Sequence, residues 1–497
     1  MPGEFPWWVI ATHFLNIVFM LLLARSGLEV LSAFPKLYWN DGCPPGREWL
    51  RLSKKTFSAE SRKPWSSLSE EESWSPVVAL PGRKNLGLGR HWHFLTVQFW
   101  VLTGAVYIVM VFVSGRWRYL VPTDWSILPD SIRSVGVYLQ FELAPQIPGE
   151  PYDAAQKLTY FLVIFVLAPF QIVTGAAMSP AVLARFPRFA RLFGGKQGAR
   201  SLHFLGLVAF AGFVLVHTFM VVVHGLPEEL GKIVLGGGQD VNGTLAVVIA
   251  AVALLLVLVL NVALTRYSLR HRRRTQVLLG HVVNPMERLL ARSFTSRQSY
   301  RARDISAYHR VNGFPPPDEE YRRMAESGFV DYRLDVGGLV AHPVSLPLEE
   351  LRGLGEQSQT VKHNCIQGWT AVAQWSGVPL AALVQRVQPL PTAKHVVFYA
   401  MDDKGETEGE GRYGYFYGSV PLHLVTQPQS ILALEMNGGP LPVQHGAPVR
   451  LRLETQLGFK MVKWIRAIEF VESVDDIGMG QGGWREDQQF YASAAGI

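Results

Sequence analysis

Val361-Lys362-His363-Asn364-Cys365-Ile366-Gln367-Gly368-Trp369 is the stretch on which this sequence turns. It carries one of only two cysteines in the chain, which excludes a disulfide framework. Taken alone, a cysteine beside a histidine and an asparagine reads as a small buried residue. Its company changes that reading. Downstream stand Asn437-Gly438-Gly439-Pro440-Leu441-Pro442, His445-Gly446-Ala447-Pro448-Val449-Arg450 and Gly458-Phe459-Lys460-Met461-Val462-Lys463-Trp464. Near the end comes Gly482-Gly483-Trp484-Arg485-Glu486-Asp487.

Together these segments, over residues 300 to 497, resemble the molybdopterin domain of the sulfite oxidase family. The resemblance implies that Cys365 is the thiolate ligand of molybdenum. A metal held by a dithiolene takes one more soft ligand, which a thiolate supplies. The cofactor would carry a phosphate tail, to be met by Arg450, Lys460 and Lys463, arginine by forked contacts and lysine as a point charge. Gly446 and Gly458 would let backbone N–H groups approach closely. Asn312, His445, Met461 and Val462 complete the expected cofactor-binding set. Tyr417, in Tyr415-Phe416-Tyr417-Gly418-Ser419, and His363 are candidates to hold a substrate oxygen or to pack around the pterin.

At 497 residues the chain is too long for one ordinary domain. Its hydrophobic content of 48% leads to a membrane part. The net charge of +7 is not read as a nucleic-acid signal, because the basic residues sit beside apolar runs, where they set topology. Five runs are long enough to cross a bilayer: Trp7–Leu23, Phe94–Val113, Leu158–Ala177, Leu202–Val223 and Gly243–Leu264. The first lacks a basic leader and a small-residue cleavage site, so it is expected to be a retained helix. Residues 25–90, rich in Trp, Pro and Ser, read as a structured extramembrane loop, in which Cys43 is given no role.

Ionisable residues inside such runs are functional candidates by default. Here they are histidines: His13, His91, His93, His203, His217 and His224. His203 and His217 are separated by about four helical turns, or ~21 Å, on one helix face. That spacing suits two haems stacked across a bilayer, since imidazole is a usual axial ligand. The pattern resembles the di-haem cytochrome b subunits of formate dehydrogenases and nickel-iron hydrogenases. The resemblance implies two b haems, with His13 paired with His217 and His93, or second to it His91, paired with His203. His91 and His224 are otherwise assigned to the membrane interface, beside the haems or a quinone.

After the fifth run, Arg266, Arg270, Arg272, Arg273 and Arg274 stop transfer. The domain organisation expected is therefore a di-haem cytochrome b part (1–275), a connector (276–300) and a molybdopterin-binding oxidoreductase domain (301–497). The fold class is a five-helix membrane bundle followed by an α+β domain. Alternating strand patterns are read at Tyr332–Val336, Val396–Ala400, Ile431–Glu435 and Val449–Leu453. A short helix is read at Pro347–Leu354, with the proline in its first position. Lys and Arg number 21 on one side of the five runs (residues 24–90, 178–201 and 265–274) against 5 on the other. The positive-inside rule then puts the N-terminus outside and the molybdenum domain in the cytoplasm.

The expected protein is an integral inner-membrane molybdoenzyme fused to its electron conduit. Oxygen-atom transfer at molybdenum would couple through the haems to the quinone pool. One direction is oxidation of a small oxyanion such as sulfite. The reverse is quinol-driven reduction of an S- or N-oxide, as in the methionine sulfoxide reductase branch of the fold. A third reading is an electron-transfer membrane protein without its own turnover. No arginine is assignable to the substrate pocket from sequence, which weighs against sulfite. Expected partners are membrane lipid, quinone or quinol and the small substrate, with no nucleic acid and room for a homodimer.

Overall fold

The computed structural model describes residues 4–55, 65–179, 182, 185–237, 241–293, 298–404 and 415–492. The chain divides into two compact units. The first comprises Met1–Gly27, Trp92–Ala176 and Leu202–His271; the second comprises Leu28–His91, Ala177–Ser201 and Arg272–Ile497.

The apolar runs of the first unit can satisfy their backbone groups in lipid only as helices. Among the described residues, five helical segments are long and apolar enough to cross a membrane. They are α1 (Trp7–Ser32), α2 (Leu86–Val113), a third segment over Ala154–Ala177, α6 (Gly195–Val223) and α8 (Gly243–Arg270). Between the second and third lies α3 (Ile127–Tyr138). The third segment is α4 (Ala154–Phe161), a π-helical turn (Leu162–Leu167) and α5 (Ala168–Ala177). Asp153 starts it with a capping box: its carboxylate accepts from the N–H groups of Ala155 and Gln156 at 2.8 and 3.1 Å, and Gln156 returns the contact. A short helix, α7 (Leu226–Leu235), precedes α8.

These helices outrun the apolar stretches that announce them. α1 continues past Leu23 to Ser32, and α2 begins at Leu86. Hydropathy marks what faces lipid, whereas a helix propagates wherever its polar end finds partners. Glu29 shows this at the end of α1: fully buried, it accepts from the Asn85 N–H at 2.5 Å.

In the second unit the segment expected to be a loop of the membrane part belongs with the sheets. It forms a small ladder, β1 (Lys36–Leu37) with β2 (Leu50–Arg51), and a 3₁₀ turn at Ser67–Glu70. Most of the expected connector is helical, since α9 runs from Arg272 to Ser293. Two five-stranded sheets follow. One has the order β4-β3-β12-β7-β8, from β3 (Arg333–Gly338), β4 (Val344–Pro347), β7 (His395–Asp403), β8 (Tyr415–Pro421) and β12 (Ile465–Val471). The other runs β10-β9-β6-β5 with β11 also on β9, from β5 (Gln357–Asn364), β6 (Thr370–Pro379), β9 (Ser430–Met436), β10 (Gly439–Pro440) and β11 (Arg450–Leu453). Among the described strand pairs, only β12 with β3 is parallel. Pro347 ends β4 and caps the helix Leu348–Gly353 from outside, so it stands one place before the position the sequence suggested.

Leu334, Val336, Trp375, Phe398, Leu451 and Phe470 are fully or almost fully buried in one shared core. At roughly 1.5–3 kcal/mol per large apolar side chain, this core fixes the sheets. The β5–β6 turn, where Cys365 sits, projects from that frame.

Candidate functional site

In the first unit two histidine pairs form. His13 and His217 have ring centroids 6.3 Å apart, and His93 and His203 have theirs 6.4 Å apart. An iron bound to two imidazole nitrogens at about 2 Å each holds the rings roughly 6 Å apart. Both pairs therefore have the opening that a bis-histidine haem iron needs.

Hydrogen bonding selects the tautomer at one pair. Ser26 Oγ gives its proton to the Leu23 carbonyl and lies 3.2 Å from His93 Nδ1. Thr174 Oγ1 gives its proton to the Phe170 carbonyl and lies 3.1 Å from His203 Nδ1. Each hydroxyl is thus left to accept from an Nδ1–H, the tautomer in which Nε2 carries the lone pair that a metal would take. His13 Nδ1 is buried without a hydrogen-bond partner among the described residues. His217 stacks on Phe213 at 5.5 Å, and Tyr160 lies edge-on to it at 6.5 Å. His224 belongs to neither pair, and its ring lies 5.1 Å from the Tyr138 ring. His91 belongs to the second unit and bonds the Gly87 carbonyl at 2.8 Å.

In the second unit Cys365 is buried, and so is Cys43; both are free thiols. They share one small core with Phe34, Tyr38, Trp369 and Ala371. Burial pushes the Cys365 thiol up to about 11. Such a thiol stays neutral until a cation binds, and a coordinating metal deprotonates it outright. Asn312 Nδ2 reaches its sulfur at 3.6 Å and Gln367 Oε1 at 3.5 Å.

A cationic hollow is built by neighbouring residues. Period-two alternation in β11 puts Arg450 and Arg452 on one face, and both guanidinium groups lie over the Trp375 ring, at 4.9 and 4.4 Å. Arg452 is neutralised by Glu454 at 2.8 Å. Arg450 and Lys463 have no carboxylate partner among the described residues. Arg450 donates to the His445 carbonyl, and Lys463 to the carbonyls of Asn312 and Gln444. Burial and Arg452 pull Arg450 down to about 9, and burial with Arg450 pulls Lys463 well down. His309 packs within 5.4 Å of His363 and 5.1 Å of His445. Burial and the neighbouring positive charge depress all three imidazoles, His445 to about 3. His309 Nε2, Arg450 Nε and Trp375 Nε1 are buried and unpartnered among the described residues. A buried and a half-buried cation without a salt-bridge partner among the described residues, beside unused Arg450 and Trp375 donors, are the complement of an anionic, hydrogen-bonding group, and the phosphate-bearing pterin fits them.

The remaining residues singled out in the sequence are placed as follows. His363 Nδ1 meets Arg452 Nη1 at 3.0 Å, and its ring lies 5.2 Å from Trp369. Gly458 lies against that ring: a Cβ there would come within 2.4 Å of it. Gly446 has φ +118°, which favours glycine. Lys460 is not in the cationic hollow. It pairs with Glu486 and donates to the carbonyls of Ser419 and Gly482 at 3.0 and 3.3 Å. Tyr417 also stands apart, its hydroxyl bound by Asp487 and the Ile477 carbonyl. Met461 and Val462 are buried, and the Val462 carbonyl accepts from Leu451 N at 2.8 Å.

The structure adds residues that sequence reading passed over. Arg485 reaches Asn312 Oδ1 at 3.4 Å, so an arginine does approach the Cys365 surroundings. The segment 28–91 supplies Glu70, which binds Arg310 at 3.1 Å and Lys36 at 2.6 Å, all nearly inaccessible. It also supplies Ser67, Glu71, Tyr38 and Asp41. The one sequence signal was the density of Glu and Ser around residues 66–72.

Residues 323–477 match the family model described as oxidoreductase molybdopterin binding domain, and residues 4–236 match prokaryotic cytochrome b561. The chain therefore joins a molybdopterin-binding oxidoreductase domain of the sulfite oxidase type to a membrane cytochrome b. It is 34% identical over 173 residues to the putative protein-methionine-sulfoxide reductase subunit YedZ1 of Azospira oryzae, covering 35% of this chain and 58% of that one. It is 30% identical over 188 residues to the protein-methionine-sulfoxide reductase catalytic subunit MsrP of Xanthomonas axonopodis pv. citri, covering 37% and 58%. The chain thus spans less than two thirds of either relative. The sulfane dehydrogenase SoxCD of Paracoccus pantotrophus aligns at 23% identity over 32% of this chain and 40% of that one, with a TM-score of 0.26.

Proposed function

We propose that this protein is a membrane-bound, quinol-driven reductase of S-oxides of the methionine sulfoxide type. One observation favours this direction over sulfite oxidation. One relative is named as a catalytic subunit and the other as a subunit of protein-methionine-sulfoxide reductases. The observation that carries the reading is structural: one polypeptide holds two histidine pairs at 6.3 and 6.4 Å together with a buried thiol beside an uncompensated cationic hollow.

In this reading Cys365 ligates molybdenum. Arg450, Lys463, His445 and Asn312 hold the pterin and its phosphate, with Gly458, Met461 and Val462 shaping the approach. Lys460 and Tyr417 secure the loop around residues 477–487 to the site. His13 with His217 and His93 with His203 ligate two b haems. When bound, the molybdenum cofactor supplies two-electron oxygen-atom transfer, and the haems supply single-electron carriage. The balance is one sulfoxide, two electrons and two protons to one sulfide and one water. Arg485 and His363 flank the Cys365 surroundings and orient the polar sulfoxide group. Quinol is oxidised near the His13/His217 haem. There the Tyr138 hydroxyl donates to Asp153 and its ring lies against His224, which provides acceptors for the quinol protons.

We also propose that the second unit faces the cytoplasm, on the 21 to 5 balance of Lys and Arg. Arg25, Lys36, Lys196 and Arg200 of the larger group are buried, so they carry packing as well as topology. Alkaline phosphatase and fluorescent fusions at the C-terminus test this, and an active phosphatase with a dark fluorophore would reverse it.

The deciding assay uses purified protein with dithionite-reduced haems. Methionine sulfoxide should re-oxidise them, and sulfite should not reduce the oxidised protein. Reduction by sulfite would reverse the direction. No response to either substrate in molybdenum-loaded protein would leave an electron carrier without turnover.

A further inference from the structure

Gln367 is the hub of the Cys365 surroundings, and its amide is fully committed. Its Oε1 receives Ser67 Oγ at 2.8 Å, Trp369 Nε1 at 3.1 Å and Asn312 Nδ2 at 3.3 Å, and faces Cys365 Sγ at 3.5 Å. Its Nε2 donates to Glu71 Oε1 at 2.9 Å and to the Ser67 carbonyl at 3.2 Å. Donors cluster on one end of the amide and acceptors on the other, so the reverse orientation would set like against like. The side chain is 1% exposed, which makes such a mismatch costly. Among the described residues Glu71 is the one charged group bonded to this amide, and it comes from the 28–91 segment, far from Cys365 in sequence.

We propose that Glu71 is a positioning residue for the site: through Gln367 it keeps the negative end of an amide dipole, and its own negative charge, turned toward the Cys365 sulfur. The inference rests on Cys365 being the molybdenum ligand. A negative end facing the ligand disfavours added electrons, so the arrangement lowers the potential at which the site is reduced. A low potential favours giving electrons to a sulfoxide. The charged and titratable groups facing Glu71 are Arg485, Lys84, Lys55, Glu29 and Tyr491. Burial raises the Glu71 carboxyl above its ordinary value, against the pull of the Gln367 amide and the three cations.

The test is a mediated redox titration of the purified full-length protein, following the Mo(V) electron paramagnetic resonance signal. Glu71→Gln should shift the Mo(VI)/Mo(V) ratio at fixed potential about tenfold toward the reduced form, 59 mV for one electron. Glu71→Asp, which keeps the charge, should stay near wild type. A Glu71→Gln midpoint equal to wild type, with normal metal loading, overturns the proposal. If Glu71→Gln fails to load metal, the wild type decides: its midpoint should rise as pH falls through the Glu71 titration, and a flat profile overturns the proposal. Absence of any Mo(V) signal in wild type would instead overturn the assignment of Cys365, a separate outcome.

Discussion

In the first unit each histidine pair joins two helices; hydroxyls of neighbouring helices flank His93 and His203, and aromatic rings flank His217. In the second, the neighbours of Cys365 come from Ser67, Asn312, Gln367 and Trp369, with Glu71 and Arg485 behind them. The first site is periodic and repeats the same ring separation twice. The second is a convergence of loops on a sheet frame. A periodic site is sensitive to its ligands and tolerant of its setting. A convergent site spreads its function over residues whose loss is partial.

The sharpest test of that contrast is Cys365→Ser. An alkoxide replaces a soft thiolate poorly, so turnover should fall by more than the roughly 10–100-fold typical of losing a group that merely supports a ligand. Haem content should be unchanged. Wild-type turnover in the purified variant would remove Cys365 from the metal.

Next in size is the haem count. His203→Ala and His217→Ala should each reduce two haems per chain to one, by pyridine haemochrome assay, because the residues belong to different pairs. One haem in wild type, or two in both variants, would dissolve the parallel between the pairs.

Arg450→Met separates cofactor binding from stability. In cofactor-free protein it removes an unpaired buried cation and should stabilise by about 1–3 kcal/mol in denaturant unfolding. In loaded protein it removes a charge-assisted contact and should weaken cofactor retention. Destabilisation in both states would mean that the hollow is not built for an anion.

The smallest effect is expected at Ser26→Ala. Loss of the acceptor for His93 Nδ1–H makes the imidazole a weaker donor to iron and should raise one haem potential. A hydrogen bond of roughly 1 kcal/mol corresponds to about 40 mV for one electron. A shift in both haems, or in neither, would break the assignment of Ser26 to the His93 pair.

Several features were legible in the sequence because they follow from short-range rules. Hydropathy marked the five apolar runs, since lipid admits only helices there. The 14-residue step from His203 to His217 fixed a common helix face, since 3.6 residues make a turn. Alternation gave β3, β7, β9 and β11. The segments around Cys365, His445 and Lys463 were visible as motifs. What tertiary structure decided lies where distant residues meet. Lys460 and Lys463 are three apart, yet one pairs with Glu486 and the other lies with Arg450 in the cationic hollow, because the 3₁₀ turn at Gly458–Lys460 faces them differently. Tyr417 is claimed by Asp487, a partner seventy residues away. Residues 28–91 looked like a loop of the membrane part, yet they bring Ser67, Glu70 and Glu71 to the second unit. Local sequence carries backbone periodicity and polarity; which distant partner a buried group finds depends on the packing of the whole unit, and no short window contains both Arg310 and Glu70 or both Tyr417 and Asp487.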